Sequence, residues 1–214
     1  MTTLNSNALT LLVTAKDHLD VAPSNTDYDN RICRMINQAS ELIASHCGRV
    51  LVDSTHTEYY DGRRTNKLTL HQYPVTGGAA TGGKPEVFLG SSGSFDQALD
   101  PDTYYFDDND IVYPSGFSKG TRNIKVIYNS GLGIVDTGGG TNTLPADLEL
   151  ACLDTVLWLW NSNSDQRIGR SSISKGDESV SYNLDLPPHI TTILDARYTR
   201  QELPSMAPVG VKNG

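Results

Sequence analysis

Residues Gly78 to Lys84, GAATGGK, carry the glycine and lysine spacing of a loop that cradles phosphates. Such a loop also needs an apolar strand before it, a helix after it and a Ser or Thr hydroxyl for magnesium. Pro85 stands where the hydroxyl belongs and Tyr73-Pro74 comes before the glycines, so a flexible connection between strands is the better reading. Asp100, Asp102, Asp107, Asp108 and Asp110 form an acidic cluster, but the carboxylate spacing and central glycine of an EF-hand calcium loop are absent. Seven acids and no Lys or Arg lie from Glu86 to Gly116. They read as a solvated acidic face, or as a patch turned towards a channel or a partner.

His18, His46, His56, His71 and His189 fall at no metal-ligand spacing, and no HExxH occurs. The serines between Gly90 and Gly93 and at Ser171-Ser172 are loop residues with no local base, and no GxSxG elbow is present. With no constellation of acid, base and nucleophile, the chain is expected to be non-enzymatic, with no cofactor and no bound metal. Cys33 and Cys47 lie on one expected helix, about 21 Å apart along its axis. A disulfide needs Cα atoms within about 7 Å, so that pair is excluded inside one subunit. An odd count of three cysteines suggests reduced, core-type thiols and a cytosolic site of synthesis.

The chain has 214 residues and a formal net charge of -8. An acidic surface argues against a basic groove that grips nucleic acid, and leaves room for an acidic channel that lets DNA pass. No signal peptide and no 18-residue apolar run is found, so no membrane segment is expected.

The elements follow from hydrophobic period. A first helix is expected over residues 7–20, with Leu9, Leu12, Val13 and Leu19 on one face and Pro23 ending it. A second covers 24–48. Ser24, Asn25 and Thr26 offer caps, Ile32, Met35, Ile36, Ala39, Leu42 and Ile43 form a stripe, and Gly48 closes it. From Val50 to Tyr128 the period falls to two, which predicts about five to seven short strands at 54–60, 67–71, 86–89, 103–106, 111–113 and 124–128. Asp61-Gly62 and Ser92-Gly93 mark turns, and Thr137 to Thr141 a glycine-rich loop.

Pro145 opens a third helix, apolar on nearly every side from Leu148 to Trp160. One of those sides can meet a neighbouring subunit. Leu150, Leu153, Leu157, Trp158 and Trp160 are the interface candidates; for the tryptophans, core packing is the plainer alternative. A polar, Ser-rich loop over 161–183 leads to a fourth helix at Pro187-Pro188, carrying Ile190, Ile193, Leu194 and Tyr198. Residues 201–214 read as an extended tail. The fold class is therefore α+β: a bundle of about four helices (1–49 and 143–200) interrupted by a small β subdomain (50–142).

The ordered elements resemble the head–tail connector (adaptor) family of long-tailed bacteriophages. They are Ala39 to Ile43 with Cys47-Gly48-Arg49, then Asp61-Gly62, then Leu68, Leu70 and Tyr73-Pro74-Val75. Val126, Tyr128 and Gly131 follow, then Leu144 to Leu148, Gly169 to Ser179, and Leu194, Tyr198 and Arg200. The resemblance implies a virion structural protein of the neck that forms a ring, commonly of twelve copies, beneath the portal. It implies a portal protein and a stopper or tail-completion protein as partners, with double-stranded DNA passing through unbound. On that reading the acidic residues face the channel or a partner, and Leu203, Pro204, Met206, Pro208 and Val209 of the tail dock on the portal. A stopper or tail-terminator ring is the close alternative; a ligand-binding or hydrolytic β module is the distant one.

Overall fold

Leu12–His18 (α1) and Asp29–Cys47 (α2) open the computed structural model, which describes residues 3–91, 94–136, 141–164, 172–175, 178–181 and 186–199. Ten short strands follow: β1 (Ser54–Gly62), β2 (Lys67–Thr69), β3 (Val75–Gly77), β4 (Glu86–Ser91), β5 (Ser94–Ala98), β6 (Tyr105–Asp107), β7 (Asp110–Val112), β8 (Gly120–Ser130), β9 (Val135–Asp136) and β10 (Thr141–Asn142). After α3 (Ala146–Ser164), a hairpin of β11 (Ser172–Lys175) and β12 (Glu178–Ser181) precedes α4 (Pro188–Arg197). The class is α+β, as the change of period predicts.

Several boundaries differ from expectation, each for a local reason. α1 begins at Leu12, because Ala8 and Leu9 enter the core from a turn and Leu9 N donates to Ser40 Oγ at 3.0 Å. α2 begins at Asp29, since Asn25 Oδ1 accepts from Asp27 N in a turn and none of the three expected caps is used. Gly48 does close α2, at φ 66°, a conformation that costs glycine little. Leu42 turns outward, 37% exposed, while the rest of the expected stripe is buried. Asp61 and Gly62 continue β1 across a register shift and make no turn there. α3 runs on to Ser164, and the polar stretch beyond it contains the β11–β12 hairpin. The Ser92-Gly93 turn, most of the 137–141 loop and the tail lie outside the described residues.

β8 organises the larger sheet. It pairs antiparallel with β1 along one edge, and with β3 and then β4 along the other. β5 extends the sheet beyond β4, and β2, β7 and β6 form a second, three-stranded sheet. Alternation sends Ile124, Val126, Tyr128 and Ser130 of β8 inward, where they are at most 1% exposed. β3 and β5 escape sequence reading because VTG and SFDQA offer no apolar alternation.

Buried apolar side chains fall into two clusters. One joins Ile32, Ile36, Ala39 and Ile43 of α2 to Leu148, Cys152, Val156 and Leu159 of α3 and to Ile190 and Leu194 of α4. The other holds Tyr60, Leu70, Val87, Tyr104, Ile111, Phe117, Ile124, Val126 and Tyr128 among the strands. Cys33, Cys47 and Cys152 are free and buried.

The seam between the clusters is tightly built. Arg49, 6% exposed, donates from Nε to the Tyr198 carbonyl (2.9 Å) and from Nη1 to the Tyr73 carbonyl (2.7 Å). Its guanidinium lies 4.2 Å from the Tyr73 ring centroid. Val50 N donates to Gln72 Oε1 at 3.0 Å, and Gln72 N to the Tyr128 hydroxyl at 3.0 Å. Gly131 sits at the same seam with φ 155°; a Cβ there would lie 2.3 Å from Asp53 N and Cα. Gly131→Ala must therefore push two backbones apart. We expect it to cost about 2–4 kcal/mol, read as a Tm lowered by about 5–15 °C in a thermal melt.

Candidate assembly surfaces

α3 packs against α2, α4 and α1, the end of α1 reaching Asp154 near the middle of α3. Leu148, Ala151, Cys152, Val156 and Leu159 fill that enclosed side. Leu150 and Leu157, seven residues apart, share the face left over; Leu150 is 46% exposed and Leu157 half-buried. Of the other interface candidates, Leu153 is taken up by the chain's own core at 7% exposure and has little surface to offer a neighbour. Trp158 and Trp160 pack partly against that core. Trp160 also meets Tyr28 edge-on at 5.5 Å, beneath the Arg31 guanidinium at 4.4 Å.

Exposed aliphatic residues that the sequence reading missed are Val13 (56%) and Ile134 (49%), besides Leu42, and Tyr105 is more exposed still at 65%. Val13 and Leu42 satisfy a helical stripe on paper. Only packing reveals that each stands just off the covered arc.

The acidic residues lie at both ends of β6. Asp107, Asp108 and Asp110 bracket the β6–β7 turn, where Asp110 accepts from Lys67 Nζ (2.7 Å) and Thr69 Oγ1 (2.6 Å). Asp100 and Asp102 lie before the other end of β6, where Asp100 Oδ1 accepts from Asp102 N and caps a single turn of 3-10 helix. Lys84 of the phosphate-loop look-alike donates to the carbonyls of Pro101 (2.6 Å) and Tyr104 (3.2 Å), so its amine is already committed.

The histidines lie beside local groups, although His18 Nε2 is buried without a hydrogen bond among the described residues. His46 meets Asp195 at 2.8 Å, His71 meets Glu58 at 3.5 Å and His56 meets Ser54 at 3.0 Å, while His18 and His189 both approach Asp154, at 3.3 and 3.9 Å. Among the described residues no three His, Cys, Asp or Glu side chains gather to hold a metal ion, and no helix is long and apolar enough to cross a membrane. The portal-docking candidates Leu203, Pro204, Met206, Pro208 and Val209 lie outside the described residues.

Across residues 12–199 the sequence matches the head completion protein family. The chain belongs to that family. Among solved structures, this head completion protein is similar to a chain in the neck of an empty gene transfer agent (GTA) particle computed with C6 symmetry. That match has a TM-score of 0.61 and 14% identity, and covers 95% of this chain and 96% of the other. A chain in the neck of the native GTA particle computed with C12 symmetry (TM-score 0.58, 13%) and one in the virion of the native particle (0.59, 13%) match over the same shares. At such identities the likeness speaks for the fold. No curated protein matches the sequence.

In this head completion protein the end of α4 is fastened to the start of α3 through Asp147. Its carboxylate accepts from the Tyr198 hydroxyl (2.5 Å) and from Arg197 Nη1 (2.7 Å). The Tyr198 hydrogen bond first, and the Arg197 charge after it, hold the Asp147 carboxyl below its ordinary value; burial and that carboxylate push the tyrosine up to about 12. A carboxyl depressed by folding stabilises fully above its unfolded value near 3.8, and the contribution fades as pH falls through the folded value. Solvent screening keeps it to about 1 kcal/mol. The wild type should therefore lose Tm more steeply below about pH 4 than Asp147→Asn does, checked by melts across pH 2–7.

Proposed function

We propose that this head completion protein is a non-catalytic subunit of the virion neck, the adaptor that forms a ring beneath the portal, extends the DNA channel and joins capsid to tail. The observation that carries the reading is family membership across residues 12–199, together with full-length likeness to chains described from particle necks. The exposed face of α3 with Leu150 and Leu157 supports it, because a ring subunit must keep apolar surface for its neighbour. Copies of the chain, twelve to a ring, are its first partners. The portal lies on one side and a stopper or tail-completion protein on the other. DNA passes through without specific binding, and the 201–214 tail reaches the portal.

Cryo-electron microscopy of the particle neck tests this directly. A ring of this chain in contact with the portal is the expected result. A ring one layer further from the head reassigns it as a stopper, and mature particles without the chain overturn the reading.

A further inference from the structure

Arg63, Arg64, Lys119 and Arg122 are all exposed, and all lie where the β1–β8 and β2–β7 pairs end together. Gly62 pairs with Gly120, and Arg64 N donates to the Phe117 carbonyl at 3.1 Å. Asn123 ties the same tip, accepting from Gly62 N (2.7 Å) and donating to the Ser118 carbonyl (2.9 Å). Elsewhere Lys16 holds Asp29, Lys67 holds Asp110 and Arg197 holds Asp147, while Arg49 and Lys84 are bound to backbone carbonyls and Arg31 and Lys125 lie against aromatic rings. The four at the tip make no ion pair among the described residues. Arg122 lies over the Tyr59 ring at 4.8 Å, and the carboxylate of Asp61 accepts from the Arg122 backbone N at 2.6 Å.

The opposite end of the same ribbon is acidic. From the tip the ladder runs through Thr65 with Phe117, Asn66 with Tyr113, Lys67 with Val112 and Thr69 with Asp110, and ends at the Asp107–Asp110 turn. Five residue steps separate Arg64 from Thr69, at most about 17 Å of extended chain, with a bend at Arg64 (φ 61°). That upper bound is about two Debye lengths at physiological salt, so solvent weakens the coupling between the two ends.

We infer that the Arg63, Arg64, Lys119 and Arg122 tip of one copy docks on the acidic surface of the next copy, at its Asp107-Asp108 turn. This rests on the ring reading above. Copies of net charge -8 repel one another, and a closed ring must offset that repulsion where they touch. A head-to-tail contact uses two different surfaces of one chain, which a ribbon basic at one end and acidic at the other supplies. A DNA backbone is the competing polyanion for the same cations.

Sedimentation velocity on the full chain, from about 20 to 500 mM NaCl, separates these cases. Net repulsion alone makes self-association rise with salt; tip docking makes it fall, by about tenfold or more over that range. Arg63→Glu with Arg64→Glu should abolish the association without moving Tm. Mixing that variant with Asp107→Lys/Asp108→Lys should restore it. Association that rises with salt, or a charge-swapped mixture no better than its parts, overturns the inference. So does a wild type that retains double-stranded DNA through Arg63 and Arg64 while its self-association ignores their reversal. Particle necks separate the two readings: a wild-type chain absent from them sinks the ring itself. Normal incorporation of the Arg63→Glu/Arg64→Glu variant sinks only the docking.

Discussion

Arg49→Met is expected to lower stability by about 3 kcal/mol, a Tm drop of about 6–12 °C. The substitution removes two hydrogen bonds from a charged donor and leaves the Tyr73 and Tyr198 carbonyls without it. Such bonds contribute about 1.5–3 kcal/mol each, and relief from burying the guanidinium returns part of that. Burial already pulls the Arg49 pKa below its usual value, with the aromatic and thiol neighbours acting the other way. Arg49→Lys is the sharper control. It keeps the charge but cannot reach both carbonyls from a fork, so it should lose nearly as much. A lysine variant that melts with the wild type would mean that the charge alone, and not the two-carbonyl bridge, holds the seam.

Leu150→Glu combined with Leu157→Glu should leave the fold intact and abolish ring assembly. Both residues keep surface on the uncovered face of α3, so the folded monomer should change by no more than about 1 kcal/mol. At an interface the same positions would each bury about 1.5–3 kcal/mol of apolar surface, and a buried unpaired carboxylate costs more than that. Association weakened more than about a hundredfold, with Tm unchanged, is the expected outcome by mass photometry and calorimetry. Leu148→Ala serves as the opposite control: that side chain is 0% exposed, so its loss should cost about 2–5 kcal/mol of folding. If the double variant assembles normally, the interface lies elsewhere.

The helices were legible because their signals are local. Gly48 closes α2, Pro187 stands just before α4, and the apolar run from Leu148 marks α3, each as the sequence predicts. Strands were legible where alternation was strong, as at Ile124, Val126 and Tyr128. What could not be read depends on distance in sequence. Arg49 looks like an ordinary residue after a helix cap, yet its partners are 24 and 149 positions away. Lys84 resembles a phosphate ligand until the carbonyls of Pro101 and Tyr104 are brought to it. The five aspartates are close along the chain, but their places at the two ends of β6, and the partners of Asp100 and Asp110, come only with the fold. The basic tip is the converse case, since only the pairing of β1 with β8 brings Arg63 and Arg122 to the same end of the sheet.

The interruption of the helical core by strands also sets a clock. α2 is complete at Cys47, but the helix that covers its apolar stripe begins at Ala146. At about 5–20 residues per second, the ribosome needs roughly 5–20 s to make the intervening hundred or so residues. The strands carry their own apolar cluster and can close in that interval, which brings residues 53 and 131 together and delivers α3 to the waiting surface. Until then Ile32, Ile36 and Ile43 stand in water. A nascent chain halted just before residue 146 should therefore be the form that holdase chaperones capture best, and release after α4 emerges should be abrupt.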